Sequence, residues 1–313
     1  MRLSEFDKFF LNLPPLDRRK DFSLFWEASL SELGRIPMEP VYRENRERSD
    51  RNFTSFDVDY NGCLKSRIQG ELLVPRAVSR PRLIIYIHDY NRLLFPERGL
   101  LDESFAYFFI KMRGHELTPE PGTDEQVSPG FMTDGIMDIN SFYARSVYLD
   151  VNRTINMLRL NKSLDCSVMG VMGRGFGAAA AVFADVYSDR VGALVLDKPS
   201  FCNLPMSQNL SQGDTATEIN GFISKNRGIK KRIKLNMTYF DAMNFSDLVT
   251  SPVLVSVGFR DTLAPPACVF SLFNHILTEK RIEVYPEGGN DAGGDELFRK
   301  SIVWLAETVR ARD

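Results

Sequence analysis

From Ser167 to Pro199 the chain reads SVMGVMGRGFGAAAAVFADVYSDRVGALVLDKP. A short apolar run meets a glycine turn, passes into an alanine-rich stretch and ends in a second apolar run. Neither run alternates polar and apolar residues, as expected of strands covered on both faces. The alanines favour a helix between them. Two strands joined by a helix pair in parallel through a right-handed crossover. This unit commits the chain to an α/β architecture with helices on both faces of a sheet.

The remaining segments extend that plan. Asp21 to Leu33 sets Phe22, Phe25, Trp26, Leu30 and Leu33 on one helical face, within an N-terminal extension of residues 1–50. Strands are expected at Phe53–Tyr60 and Ser66–Val74 around an Asn61-Gly62 turn, then at Arg82–His88 and Ser104–Met112. A long helix follows from about Asp138 to Leu160. After the central unit, residues 199–250 read as a helical insertion in the position of a cap. Short strands at Val253–Val257 and Ile282–Tyr285 then alternate with helices at Pro265–Leu277 and Asp295–Arg310. One domain of mainly parallel sheet, with that inserted cap, is the expected organisation of the 313 residues.

Bulk properties narrow the function. A net charge of −2 gives no electrostatic case for nucleic acid or anionic membrane. The stretch RENRERSDR, Arg43 to Arg51, alternates in sign and reads as a solvated loop. Prolines and acidic residues interrupt the first twenty or so positions where a secretory signal needs an apolar core. No run approaches the length of a membrane span. The four cysteines lack metal or redox spacing and read as buried, reduced thiols of a cytoplasmic protein. His88, His115 and His275 have no metal-ligand spacing either, so neither a metal nor a cofactor is expected.

The glycine turn, Gly173-Arg174-Gly175-Phe176-Gly177, has two readings. With Ala178 it fits a dinucleotide fingerprint, and Asp197 at the end of the next strand stands where a ribose-binding carboxylate belongs. Four strands precede the unit that carries this turn, however, and only two follow that unit, which is the wrong order for a nucleotide domain. The second reading is a nucleophile elbow, GxSxG, with glycine in the serine position. Asp261, just past the Val253–Val257 strand, then stands as the triad acid, and the loop after the last strand, PEGGNDAGG, contains no histidine.

Longer stretches carry a resemblance over residues 21–291: DFSLFWEASLSEL, SRIQGELLVP, IHDYN, MRGH, GIMDINSFYARSVYLDVNR, the elbow, KPSFCN, TYFDAMNF, SVGFRDTLAPPACVFSLFN and VYPEGGND. In these the chain resembles the acetyl xylan esterases and cephalosporin-C deacetylases, carbohydrate esterase family seven, of the α/β-hydrolase superfamily. The resemblance implies that the nucleophile serine falls on Gly175, the glutamine after it on Phe176, and the catalytic histidine on Asn290. Asp261 is the retained acid. The oxyanion-hole turn is His88-Asp89-Tyr90, and Arg113-Gly114-His115 stands for an RGQ motif.

Glycine offers no nucleophile, and an asparagine amide takes up no proton near neutrality. Asp89, beside the Tyr90 donor, repels a developing oxyanion unless it turns away or is protonated. The expected protein is therefore a hydrolase fold without hydrolase chemistry, binding a small acetylated sugar-like ligand in the old pocket or scaffolding a partner. By resemblance it assembles as a homo-oligomer, a hexamer. The competing expectation is an active ester hydrolase that recruits His115, Cys202 or Ser200.

Overall fold

In a computed structural model, residues 5–90, 92, 95–115, 130–226 and 228–311 are described. Their strands form one nine-stranded sheet in the order β1-β2-β3-β5-β4-β6-β7-β8-β9. The strands are β1 (Val41–Asn45), β2 (Phe53–Asn61), β3 (Arg67–Pro75), β4 (Arg82–Ile87), β5 (Phe105–Lys111), β6 (Asp165–Arg174), β7 (Val191–Asp197), β8 (Val253–Gly258) and β9 (Lys280–Tyr285). β1, β2, β3 and β5 pair antiparallel in that order. Every pairing from β5 across to β9 is parallel.

The parallel strands are apolar along their whole length because both faces are covered. Helix α4 (Phe176–Val186) lies on one face, its alanines fully buried against Ile85, Val171 and Leu194. Small side chains let this helix sit close. A Cβ on Gly173 would overlap the Gly177 carbonyl, and one on Gly177 the His88 carbonyl. Helices α3 (Tyr143–Leu158) and α8 (Pro266–His275) share that face. On the other face α9 (Gly294–Arg310) buries Phe298, Ile302 and Leu305 over Ile84, Met172 and Val195.

The N-terminal helices α1 (Glu5–Phe10) and α2 (Phe22–Gly34) are tied to the body by aromatic packing. Trp26 is fully buried between Tyr148, Phe183, Phe240 and Phe245. Its indole N–H donates to the Tyr239 carbonyl (3.1 Å), satisfying the polar edge of a large apolar ring. Between β7 and β8 come α5 (Leu204–Leu210), α6 (Asp214–Lys225), α7 (Lys230–Met237) and a 3₁₀ segment, Ala242–Leu248.

Two local expectations are corrected. Arg43, Glu44 and Asn45 are not loop but the end of β1, paired with Asp57, Phe56 and Ser55. The long helix begins at Tyr143 rather than Asp138. Asp138 instead closes a turn, its carboxylate accepting from the Asn140 N–H and the Ser141 hydroxyl at 3.1 Å each.

Candidate functional site

Five neighbouring strands bring their C-terminal ends to one edge of the sheet, where open α/β sheets carry ligands. β4 leads into His88, Asp89 and Tyr90, and β6 ends at Arg174 before Gly175. β7 ends in Asp197 with Lys198 directly after it, while the loops after β8 and β9 hold Asp261 and Asn290. Asn91, the last residue of the IHDYN stretch, lies outside the described residues.

Gly175 has φ 54° and ψ −117° at the head of α4, a conformation that disfavours any side chain. Its N–H donates to the Asp197 carbonyl (2.9 Å), which pins the turn across to β7. A Cβ added there would fall inside the carboxyl group of Asp89, overlapping Cγ and both oxygens. The volume that a nucleophile side chain needs is therefore filled from the neighbouring loop.

Asp89 is held in that position by two backbone donors. Its Oδ1 accepts the N–H of Tyr90 and the N–H of Phe176, both at 2.7 Å. In a nucleophile elbow one oxyanion donor is the amide following the nucleophile, and the other comes from the loop after an earlier strand. Tyr90 and Phe176 are thus brought together as a donor pair, and the pair is already occupied by a carboxylate. Burial pushes the Asp89 carboxyl up to about 6, with the Phe176 amide and the Arg174 charge pulling the other way.

The Tyr90 and Phe176 side chains build the floor. Tyr90 donates its hydroxyl to Glu218 Oε2 on α6 (2.8 Å). The Phe176 ring is fully buried against Tyr90, Tyr143, Tyr148 and Phe201. A cavity beside Asp89 and Tyr90, lined also by Arg92, Ser200, Thr215 and Leu263, measures about 20 Å³. That is room for one water molecule.

The residues at the positions expected for the acid and the histidine have local structural partners. Asp261 Oδ1 accepts the N–H groups of Leu263 (2.8 Å) and Ala264 (2.9 Å), closing its own turn. Burial raises its pKa, against those two bonds and the nearby Lys198 charge. Asn290 is exposed, and its Oδ1 accepts the Thr262 N–H (3.1 Å), which stitches the loop after β9 to the loop after β8.

His88 and His115 are buried. His88 Nε2 accepts the Met112 N–H (2.9 Å), which assigns the proton to Nδ1, and that N–H donates to the Asp89 carbonyl (2.6 Å). Burial drives His88 down to about 3. His115 has its Nδ1 at 3.3 Å from the Arg113 carbonyl and its ring against His88, Tyr90 and Phe131. Burial lowers its pKa as well. Cys202 is fully buried between the carbonyls of Pro199 and Cys268, and burial raises its thiol far from thiolate formation.

Sequence reasoning missed Lys198 and the weight of Arg174. Lys198 is buried at φ 48°, with Nζ 3.5 Å from Asp197 Oδ1 and 3.4 Å from the Ala292 carbonyl. Arg174 Nε lies 3.6 Å from Asp197 Oδ2, and the Ser256 hydroxyl donates to Oδ1 (2.8 Å). In sheet order the edge therefore reads Asp89, Arg174, Asp197, Lys198, Asp261, a row of alternating charge. The signal available in sequence was the Asp197-Lys198 pair closing an otherwise apolar strand. Arg174, Lys198 and Ser256 hold the Asp197 carboxylate, which tells against its serving as the ribose ligand of the nucleotide reading. Among the described residues no group of histidines, cysteines and carboxylates could hold a metal ion.

Comparison with known proteins places this edge in context. The acetyl xylan esterase (AXE1) family model matches residues 7–308. The acetyl esterase of Xylanibacter ruminicola is 23% identical over 306 residues, spanning 93% of this chain and 67% of that protein. The acetyl xylan esterase from Paenibacillus sp. R4 superposes with a TM-score of 0.88 at 22% identity, over 97% of this chain and all of that one. Acetyl xylan esterase 1 from a Thermoanaerobacterium species gives 0.84 at 20% identity, over 96% and 99%. An acylaminoacyl peptidase of Pyrococcus horikoshii, at 12% identity, shares the fold with a TM-score of 0.62 across 84% of this chain and 43% of its own.

Proposed function

Because this chain belongs to the acetyl xylan esterase family, we propose that it is a member without ester hydrolysis, acting through binding and scaffolding. The observation that carries this reading is the Asp89 carboxylate, seated at Gly175 on the amides of Tyr90 and Phe176. Hydrolysis needs an oxygen nucleophile, a base to take its proton, and free donors for the oxyanion. The first is glycine, the second is asparagine, and the donors hold a carboxylate. Loss of one triad member alone costs about 10⁶ in turnover in a well-studied protease. Here the residual contribution of the oxyanion hole is withdrawn as well.

The cavity beside Asp89, about 20 Å³, is too small for an acetylated sugar, whereas one of about 760 Å³ lined by Arg113, His115 and Tyr143 has the volume for such a ligand. A cytoplasmic location and a homo-oligomer, a hexamer by family resemblance, complete the proposal; light scattering on the purified chain tests the assembly. The central test is hydrolysis of p-nitrophenyl acetate and acetylated xylose by the full chain, beside an active acetyl xylan esterase. Rates indistinguishable from buffer are expected. Esterase-like turnover that tracks with the protein through purification ends this reading.

A further inference from the structure

We infer that Asp89 and Gly175 are a coupled pair, in which Asp89 is a built-in plug of the oxyanion hole and Gly175 is the only residue that leaves room for it. This rests on the non-catalytic reading above and adds a cause to it. Nucleophile and oxyanion occupy adjoining volumes in an elbow, and one carboxylate covers both. Its Cγ and both oxygens stand where a side chain at position 175 would begin, and its Oδ1 also holds the two donors.

The plug is seated from several directions. His88, next in chain, fixes the Asp89 carbonyl through Nδ1–H (2.6 Å) while its other nitrogen is held by the Met112 amide. Arg174 lies close enough to stabilise the carboxylate from below, and Tyr90 is anchored by Glu218. The carboxyl group therefore cannot swing aside cheaply to make room for a serine. Restoring the nucleophile alone would force either a steric overlap at the elbow or expulsion of Asp89 from its two hydrogen bonds.

The pair makes a prediction about order. Gly175→Ser carries the same backbone strain whatever stands at position 89, because φ 54° is a property of the turn. Only the overlap depends on Asp89. Subtracting the two backgrounds in a double-mutant cycle removes the strain and leaves the coupling.

The test uses the full chain with Gly175→Ser, Asp89→Gly, their combination, and each nucleophile variant also carrying Asn290→His. Gly175→Ser should lower Tm by roughly 5 °C more in the Asp89 background than in the Asp89→Gly background. Failure to fold in the first background alone counts as the same result. With Asn290→His present, hydrolysis of p-nitrophenyl acetate should be on the order of 100-fold faster when Asp89→Gly is included than when it is not. Equal Tm losses in both backgrounds, or failure to fold in both, overturn the coupling. A triple variant as silent as its Asp89-containing parent overturns the assignment of Asp89 as the block. Hydrolysis by the unmodified chain would instead refute the non-catalytic reading, and it leaves the Tm comparison intact.

Discussion

Tyr90 and Glu218 meet phenol to carboxylate at 2.8 Å, joining the loop after β4 to helix α6 of the inserted segment. The Met132 N–H reaches both partners, 3.0 Å from the Tyr90 hydroxyl and 3.1 Å from Glu218 Oε2. Tyr90 thereby serves two structures at once. Its backbone amide holds the Asp89 carboxylate, and its side chain holds the inserted helices against the sheet.

Tyr90→Phe should leave the ring packing intact and strip the carboxylate of its phenol donor. The expected loss is about 1.5–3 kcal/mol, the range for a hydrogen bond to a charged group. A lower urea midpoint with an unchanged m-value would show it. An unchanged midpoint would mean that the contact contributes nothing.

The buried carboxyls set the pH dependence. Burial raises Asp89 and Asp241 to about 6, above the unfolded value near 3.9. The native state then holds protons that the unfolded chain releases, so these groups contribute most below about pH 4 and their contribution is lost as pH rises through 6. Asp150 shifts the same way from burial, against Arg113. Their joint effect should make Tm fall between pH 5 and pH 7. A Tm that rises across that interval contradicts it.

Asparagine substitution should separate two of these sites. Both bonds to Asp89 fall on Oδ1, so Asp89→Asn can keep them with its amide oxygen and shed the charge. It should stabilise the protein at pH 7.5 by about 1–2 kcal/mol and flatten the pH profile. Asp241 uses both oxygens, Oδ1 for Asn203 and Met243 and Oδ2 for Leu204. Asp241→Asn would point an NH₂ group at an N–H and cost about 2 kcal/mol or more. Calorimetry at two pH values distinguishes these outcomes.

Lys198 is the buried cation of the charge row, and burial lowers its pKa against the pull of Asp197. Lys198→Met should cost about 3 kcal/mol by leaving Asp197 and Asp261 short of positive charge. Adding Asp261→Asn should return part of that loss. A second substitution that only adds further destabilisation would show that Lys198 does not serve Asp261.

All four cysteines are buried, and burial raises the thiols of Cys166, Cys202 and Cys268. Iodoacetamide should leave the native chain nearly unlabelled and modify four sites after denaturation, by mass spectrometry. Rapid single labelling at Cys202 would revive it as a substitute nucleophile.

Much of the fold is legible in sequence because continuous apolar runs and helical spacing report burial directly. The nine-residue β2 and β3 lie within a residue of their expected bounds. β1 escaped because an edge strand carries charge to discourage further pairing, and RENRERSDR looks the same in a loop. Gly175 and Asn290, at the positions where the resemblance expects serine and histidine, are visible as letters. What the letters do not carry is where a side chain from one loop comes to rest on another. Asp89 was readable as a carboxylate beside the Tyr90 donor, and only the geometry seats it on the Tyr90 and Phe176 amides. Lys198 was hidden for the same reason, since its partners lie at the ends of other strands.

The alternating row from Asp89 to Asp261 has a consequence for the field at the elbow. An enzyme's fixed dipoles wait for charge that develops only at the barrier, and the work of orienting them is done beforehand, during folding. Here the negative charge is permanent and covalently part of the chain, so the same dipoles are satisfied as soon as the protein folds. On the non-catalytic reading proposed above, electrostatic work that an esterase reserves for its transition state serves here as ground-state cohesion. In that reading the carboxylate acts as a clasp on the sheet's edge.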